Sequence, residues 1–171
     1  MRHAWLKFAW EEFSLLIGQR EDVISPIFPT VNNDLVMWGA GNLGDRRPQI
    51  RPEWSNGTFT ATGLIGLTGA DDNADLDGDG YLDGEDSGLP TLQGRIGLSI
   101  QGWVFGLWGH WAIEETSAPV AGEDSFESNA VGLDLVLPLF ATIGLKGEVW
   151  TGKNLDDVRG GIFQGVNLTT G

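Results

Sequence analysis

In the stretch TLQGRIGLSIQ, residues 91–101, the apolar Leu92, Ile96, Leu98 and Ile100 alternate with the polar Gln93, Arg95, Ser99 and Gln101. Successive side chains of a β-strand point to opposite faces, so a period of two means one apolar face and one polar face. The same pattern runs through much of the chain. Pro48, Ile50, Pro52 and Trp54 oppose Arg47, Gln49, Arg51 and Glu53. Trp103, Phe105, Leu107, Trp111 and Ile113 oppose Trp108, His110 and Glu114. Val131, Leu133, Leu135 and Leu137 oppose Asp134, and Ile143, Leu145 and Val149 oppose Lys146 and Glu148. Almost nothing keeps a helical period, and the polar sides carry full charges.

The alternation predicts eight strands, roughly 3–10, 13–20, 46–54, 58–68, 91–101, 103–115, 127–137 and 142–152. Tight connections are expected at Glu11, at Ser55 to Gly57, at Gly102 and at Pro138. The Asn56-Gly57 pair is a hairpin signal because both residue types tolerate positive φ. The other connections are long, from Glu21 to Asp45, Gly69 to Pro90 and Thr116 to Phe126. Short turns at one end and long loops at the other, on strands of about 9–11 residues, fit an antiparallel up-and-down transmembrane β-barrel. Trp10, Trp54 and Trp103 fall on the apolar face beside successive short turns, with Phe140 in the next, as an aromatic girdle would. The alternative is a secreted or surface β-sandwich whose tryptophans are ordinary core.

In a barrel the apolar face meets lipid, and Arg47, Arg51, Arg95, His110, Glu114, Asp134, Lys146 and Glu148 line the lumen. Charges of both signs there can orient and select small polar or charged solutes. The inward Trp5, Trp108 and Trp150 would help to fill it. The connection from Glu21 to Asp45 is long for a structureless loop and too apolar for disorder, so part of it is expected to fold inward and narrow the pore.

The stretch DNADLDGDGYLDGED sits in a different chemical context. Residues 71–86 hold eight carboxylates and no Lys or Arg, over half of the net charge of −14. A twelve-residue calcium loop needs oxygen ligands at positions 1, 3, 5, 7, 9 and 12 and glycine at 6. Asp75, Asp77, Asp79, the Tyr81 carbonyl, Asp83 and Asp86 supply the ligands and Gly80 the turn. Strands rather than helices flank it, so 69–90 reads as a calcium-binding insert of the extracellular DxDxDGxxDxxD type in a single domain spanning 1–171. Asp86 is shorter than the usual final Glu, which favours weaker binding at extracellular calcium levels.

Several classes are excluded or disfavoured. A chain of net charge −14 without a basic stripe does not bind nucleic acid. There is no cysteine and no apolar run of about 18 residues, which removes thiolate sites and a transmembrane helix. Two histidines, His3 and His110, without a nucleophile-elbow sequence argue against an enzyme.

The segments RHAWLKFAWEEFSLLIGQREDVISPIFP, WGAGNLGDRRPQIR, PTLQGRIGLS and LKGEVWTGKNLDDVRGGIFQGVN resemble Gram-negative outer-membrane porins, particularly the DcaP-like group. The resemblance implies a bacterial outer-membrane location, a homotrimeric diffusion channel and small, often anionic, solutes. It also matches the family's lumen arginines to Arg46, Arg47 and Arg51. The chain departs from the family in showing no export signal and in ending VNLTTG without a closing aromatic residue, so it is expected to be a fragment of a larger barrel.

Overall fold

The computed structural model describes residues 3–27, 43–67, 88–120, 122–155 and 158. Eight strands follow one another: β1 (Ala4–Ala9), β2 (Phe13–Glu21), β3 (Arg46–Ser55), β4 (Phe59–Gly66), β5 (Thr91–Ile100), β6 (Trp103–Val120), β7 (Glu123–Phe140) and β8 (Ile143–Lys153). They form one antiparallel sheet in the order β1 to β8, each strand paired with its neighbours in sequence. The fold is therefore all-β and up-and-down. Among the described residues the sheet is open, because β1 and β8 are its two edges and do not pair with each other.

The turns explain why the registers are so regular. Between β5 and β6, Gln101 and Gly102 both take positive φ, 51° and 86°. That is the two-residue turn whose twist matches the strands it joins. Between β3 and β4 the expected pair works differently: Gly57 alone adopts positive φ. Asn56 instead acts through its side chain, Oδ1 accepting from the amides of Thr58 at 3.0 Å and Phe59 at 2.8 Å.

The expected long connection from Thr116 to Phe126 is corrected by the structure. β6 continues to Val120 and β7 begins at Glu123, so residues 121 and 122 alone separate the strands. The pairing shifts register between Glu115 and Val120. TSAP and EDS carry no apolar alternation, so the sequence gives no sign that the strands extend there. Similarly, β7 runs through Pro138 to Phe140, with a register shift between those residues, and the turn falls at 141 and 142.

Registers place every charged residue that alternation assigned to the polar face on that face. Ser14, Glu53, Thr62, Arg95, Trp108 and Gly132 lie in a single cross-strand row. The faces differ in a way opposite to that of a water-soluble sheet. Arg47, Gln49, Gln93, His110 and Asp134 are buried on the polar face. Ile50, Trp54, Ile65, Ile96, Leu107, Leu133 and Val149 are exposed on the other.

Two stretches cover part of the polar face. Residues 22–27 and 43–45, the described ends of the long β2–β3 connection, fold over it and are called the strap below. Ile24 and Leu43 of the strap pack with Trp108, Ala130, Leu155 and Val158 into a dry cluster, and Trp150 lies against it. These ends of the connection lie against the polar face of the sheet. Large side chains approach this closely because glycines lie beneath them: a Cβ on Gly132 would strike the Trp108 ring, and one on Gly106 would strike both Arg95 and Asp134.

Candidate functional site

The polar face is a connected network rather than a set of isolated charges. At the strap end, Arg47 pairs bidentately with Asp22, Nε to Oδ1 at 2.8 Å and Nη2 to Oδ2 at 3.1 Å. Both side chains are sealed from solvent, 0% and 1% exposed. The third nitrogen of Arg47 donates to the Leu67 carbonyl at 2.8 Å and to Thr91 Oγ1 at 3.0 Å. Buried charges persist only when paired and hydrogen-bonded, and here every part of the fork is used. Asp22 also accepts from the Asp45 amide at 2.9 Å, so one carboxylate joins β3 to both ends of the strap.

Beside it, Gln49 Nε2 donates to the Arg20 carbonyl at 2.6 Å, while its Oε1 accepts from Arg51 Nε at 2.8 Å. Arg51 also donates to the Glu21 carbonyl. Gln93 accepts from the Val23 amide at 3.1 Å and lies 3.4 Å from His110 Nδ1. The other ring nitrogen of His110 lies 3.2 Å from Ser128 Oγ. A polar relay thus crosses β5, β6 and β7 beneath the strap.

Further along the face, Arg95 holds Asp134 through Nε at 2.9 Å and Nη2 at 2.7 Å. Glu148 is the direct cross-strand partner of Asp134. Glu114 is buried on the same face and Lys146 is exposed on it. Near the β1 edge the Arg20 guanidinium stacks 4.8 Å over the Trp5 ring, and Lys7 reaches Glu53 at 3.4 Å.

The structure therefore gathers Arg47, Arg51, Arg95, His110, Glu114, Asp134, Lys146 and Glu148 on one face. Arg46 is the exception. It shares the strand parity of Pro48 and Ile50 and pairs in register with Glu21, which sets it on the apolar side of the pleat. Sequence reasoning sets Gln49 and Gln93 on the polar face without counting them among the site residues, and it misses Asp22, Ser25 and Ser128. Gln49, Gln93 and Ser128 share the parity of the charged residues that alternation singles out, and that parity is the signal for them. Asp22 and Ser25 lie beyond the end of β2, where no period extends. The proposed calcium ligands Asp75, Asp77, Asp79, Tyr81, Asp83 and Asp86 lie outside the described residues, as do residues 28–42 of the long connection.

On the apolar face the aromatic residues collect near the short turns. Trp10, Phe13, Trp54, Phe59, Trp103 and Phe140 are all exposed there. Trp10 and Phe13 lie ring to ring at 5.6 Å, and Trp54 Nε1 donates to Glu12 Oε2 at 3.0 Å. An indole with an apolar body and one satisfied polar tip suits a boundary between water and an apolar medium. Comparison with known protein families, with curated proteins and with solved structures finds no match to this chain.

Proposed function

We propose that the chain is part of an outer-membrane β-barrel of the porin type, a diffusion channel for small polar or charged solutes. The observation that carries this reading is the inverted polarity of the sheet, with charge and amide on the covered face and large hydrophobic side chains on the open one. Burying one such side chain is worth about 1.5–3 kcal/mol. A whole face of them in water would forfeit more than the about 5–15 kcal/mol that holds a domain folded. Lipid removes that cost. Ten residues, the length of β3 and of β5, span about 34 Å along the strand, or about 24 Å across a layer at a 45° tilt. That matches the apolar band of a barrel, about 25 Å tall.

Closure of the barrel is part of this proposal and requires strands beyond the eight, since β1 and β8 are both free edges among the described residues. A homotrimer and a preference for anionic solutes follow from the porin resemblance. The strap would narrow the lumen, and the 69–90 insert would bind calcium outside the barrel through Asp75, Asp77, Asp79, Tyr81, Asp83 and Asp86.

The β-sandwich reading needs a second sheet on the apolar face. All eight described strands lie in one sheet, and none covers that face. Planar-bilayer recording of the purified protein tests the channel: stepwise conductance is expected, and its absence rejects it. Calcium titration of the protein with Asp75→Ala and Asp79→Ala tests the insert. Saturable binding in the wild type that the pair abolishes is expected, and identical titrations leave only a solvated acidic loop.

A further inference from the structure

Glycines on the two faces of the sheet serve different ends. On the polar face, Gly106 and Gly132 make room for neighbours within the chain, since a Cβ at the first would strike Asp134 and one at the second Trp108. On the apolar face, Gly63 pairs with Gly94, Gly94 with Gly109, and Gly109 with Val131, so three glycines stand in one cross-strand row. A Cβ on Gly63, Gly94 or Gly109 would meet only ordinary contacts, with its nearest neighbour at 3.6, 3.7 and 3.6 Å respectively. None of the three takes a positive φ. Neither packing within the chain nor backbone conformation calls for glycine here. Glycine inside a strand weakens it, and it often marks a place where a ligand or another chain comes close.

The missing side chains leave a trough of about 560 Å³ on the exposed face. Ile96 and Leu107 rise in register on one side of the glycine row, and Leu92 and Trp111 on the other. One end opens beside Trp54 of the aromatic band, whose indole N–H is already taken by Glu12. The floor is backbone bonded in its own ladders and the walls are hydrocarbon and indole, so the fitting guest is apolar. The volume lies within the range of small-ligand sites, about 300–1,000 Å³. A stable subunit interface takes about 800 Å² from each partner, of which the trough walls supply a small part. The row crosses strands about 4.8 Å apart in a straight line, which suits a linear chain lying along it. We propose that the trough seats an acyl chain of a membrane phospholipid, an inference that rests on the membrane reading above. Hydrocarbon laid on the bare glycines restores the dispersion contacts that an empty groove forfeits.

The test uses the full chain, folded into phosphatidylcholine vesicles that include phosphatidylcholine with a photoactivatable diazirine on one acyl chain. Illumination, proteolysis and mass spectrometry then read the labelled positions. Label is expected to concentrate on the glycine row and its walls and to be lost there in Gly94→Val. It should persist in Gly147→Val, which adds a side chain in open space elsewhere on the same face. If Gly94→Val does not fold, Gly109→Ala carries the comparison, with a partial loss expected. Even labelling of the whole apolar face, or label on the row that Gly94→Val leaves unchanged, overturns the trough and leaves the membrane reading standing. Absence of label from the entire face, Ile96 and Val149 alike, overturns the membrane reading as well. Label elsewhere on the face with none in the trough overturns the lipid, and disulfide dimers of Gly94→Cys would then identify a second copy of the chain as the occupant.

Discussion

Two arginine–aspartate pairs on the same face do different jobs. Arg47 and Asp22 join the sheet to the strap, whereas Arg95 and Asp134 join one part of the sheet to another. The first pair is sealed on both sides and has further bonds to Leu67 and Thr91. The second leaves Arg95 17% exposed and lies over Gly106. Removing one member of a sealed pair strands its partner in a dry site, while a partly wet pair can recover water. The contrast separates fastening a cover from lining a wall, and it sets the order of effects.

Arg47→Ala should be the most damaging change. It leaves the Asp22 carboxylate buried and alone, and a loss of about 3–5 kcal/mol is expected in urea unfolding from lipid vesicles. Because the strap loses its anchor, liposome swelling with small sugars should also quicken. A slower swelling rate would show that the strap does not restrict passage. Next comes a guanidinium transferred to the opposite face beside Gly106, Leu107→Arg. In a bilayer this should cost about 2–4 kcal/mol by the same unfolding measurement. A neutral outcome would mean that this face meets water and would sink the membrane reading.

Arg95→Ala follows, with about 2–3 kcal/mol expected because the arginine is less completely enclosed than Arg47. Gly106→Ala should mimic part of this loss by displacing the pair. The double variant should then fall short of the sum, since both changes act on one contact. Strict additivity would show that the glycine is not the seat of the pair. Smallest is Lys7→Ala. The Lys7–Glu53 pair is 40% and 35% exposed on its two sides, and a change within about 0.5 kcal/mol is expected.

Most of the sheet is legible in the order of residues alone, and for one physical reason. A strand between two unlike media must place alternate residues in each, so the environment writes itself into the chain. Leu92 to Ile100 and Val131 to Leu137 are clear because both media act on them. Residues 116–126 read as a loop because their order carries no apolar period. Arg46 is set among the lumen residues by a resemblance that its own parity opposes. The strap contacts are out of reach for another reason: Asp22 meets Arg47 across 25 positions and Val23 meets Gln93 across 70. Partners that remote leave no local pattern.

The base of the strap has a further consequence. The Asp22 amide donates to the Asp45 carbonyl at 2.8 Å, and the Asp45 amide donates back to the Asp22 carboxylate at 2.9 Å. A connection tied at its neck separates its length from the scaffold below, because closure entropy grows only by about 0.6 kcal/mol per doubling of length. That makes the neck a natural cloning junction. A foreign segment spliced in after Ile27 should leave the register of β2 on β3 unchanged.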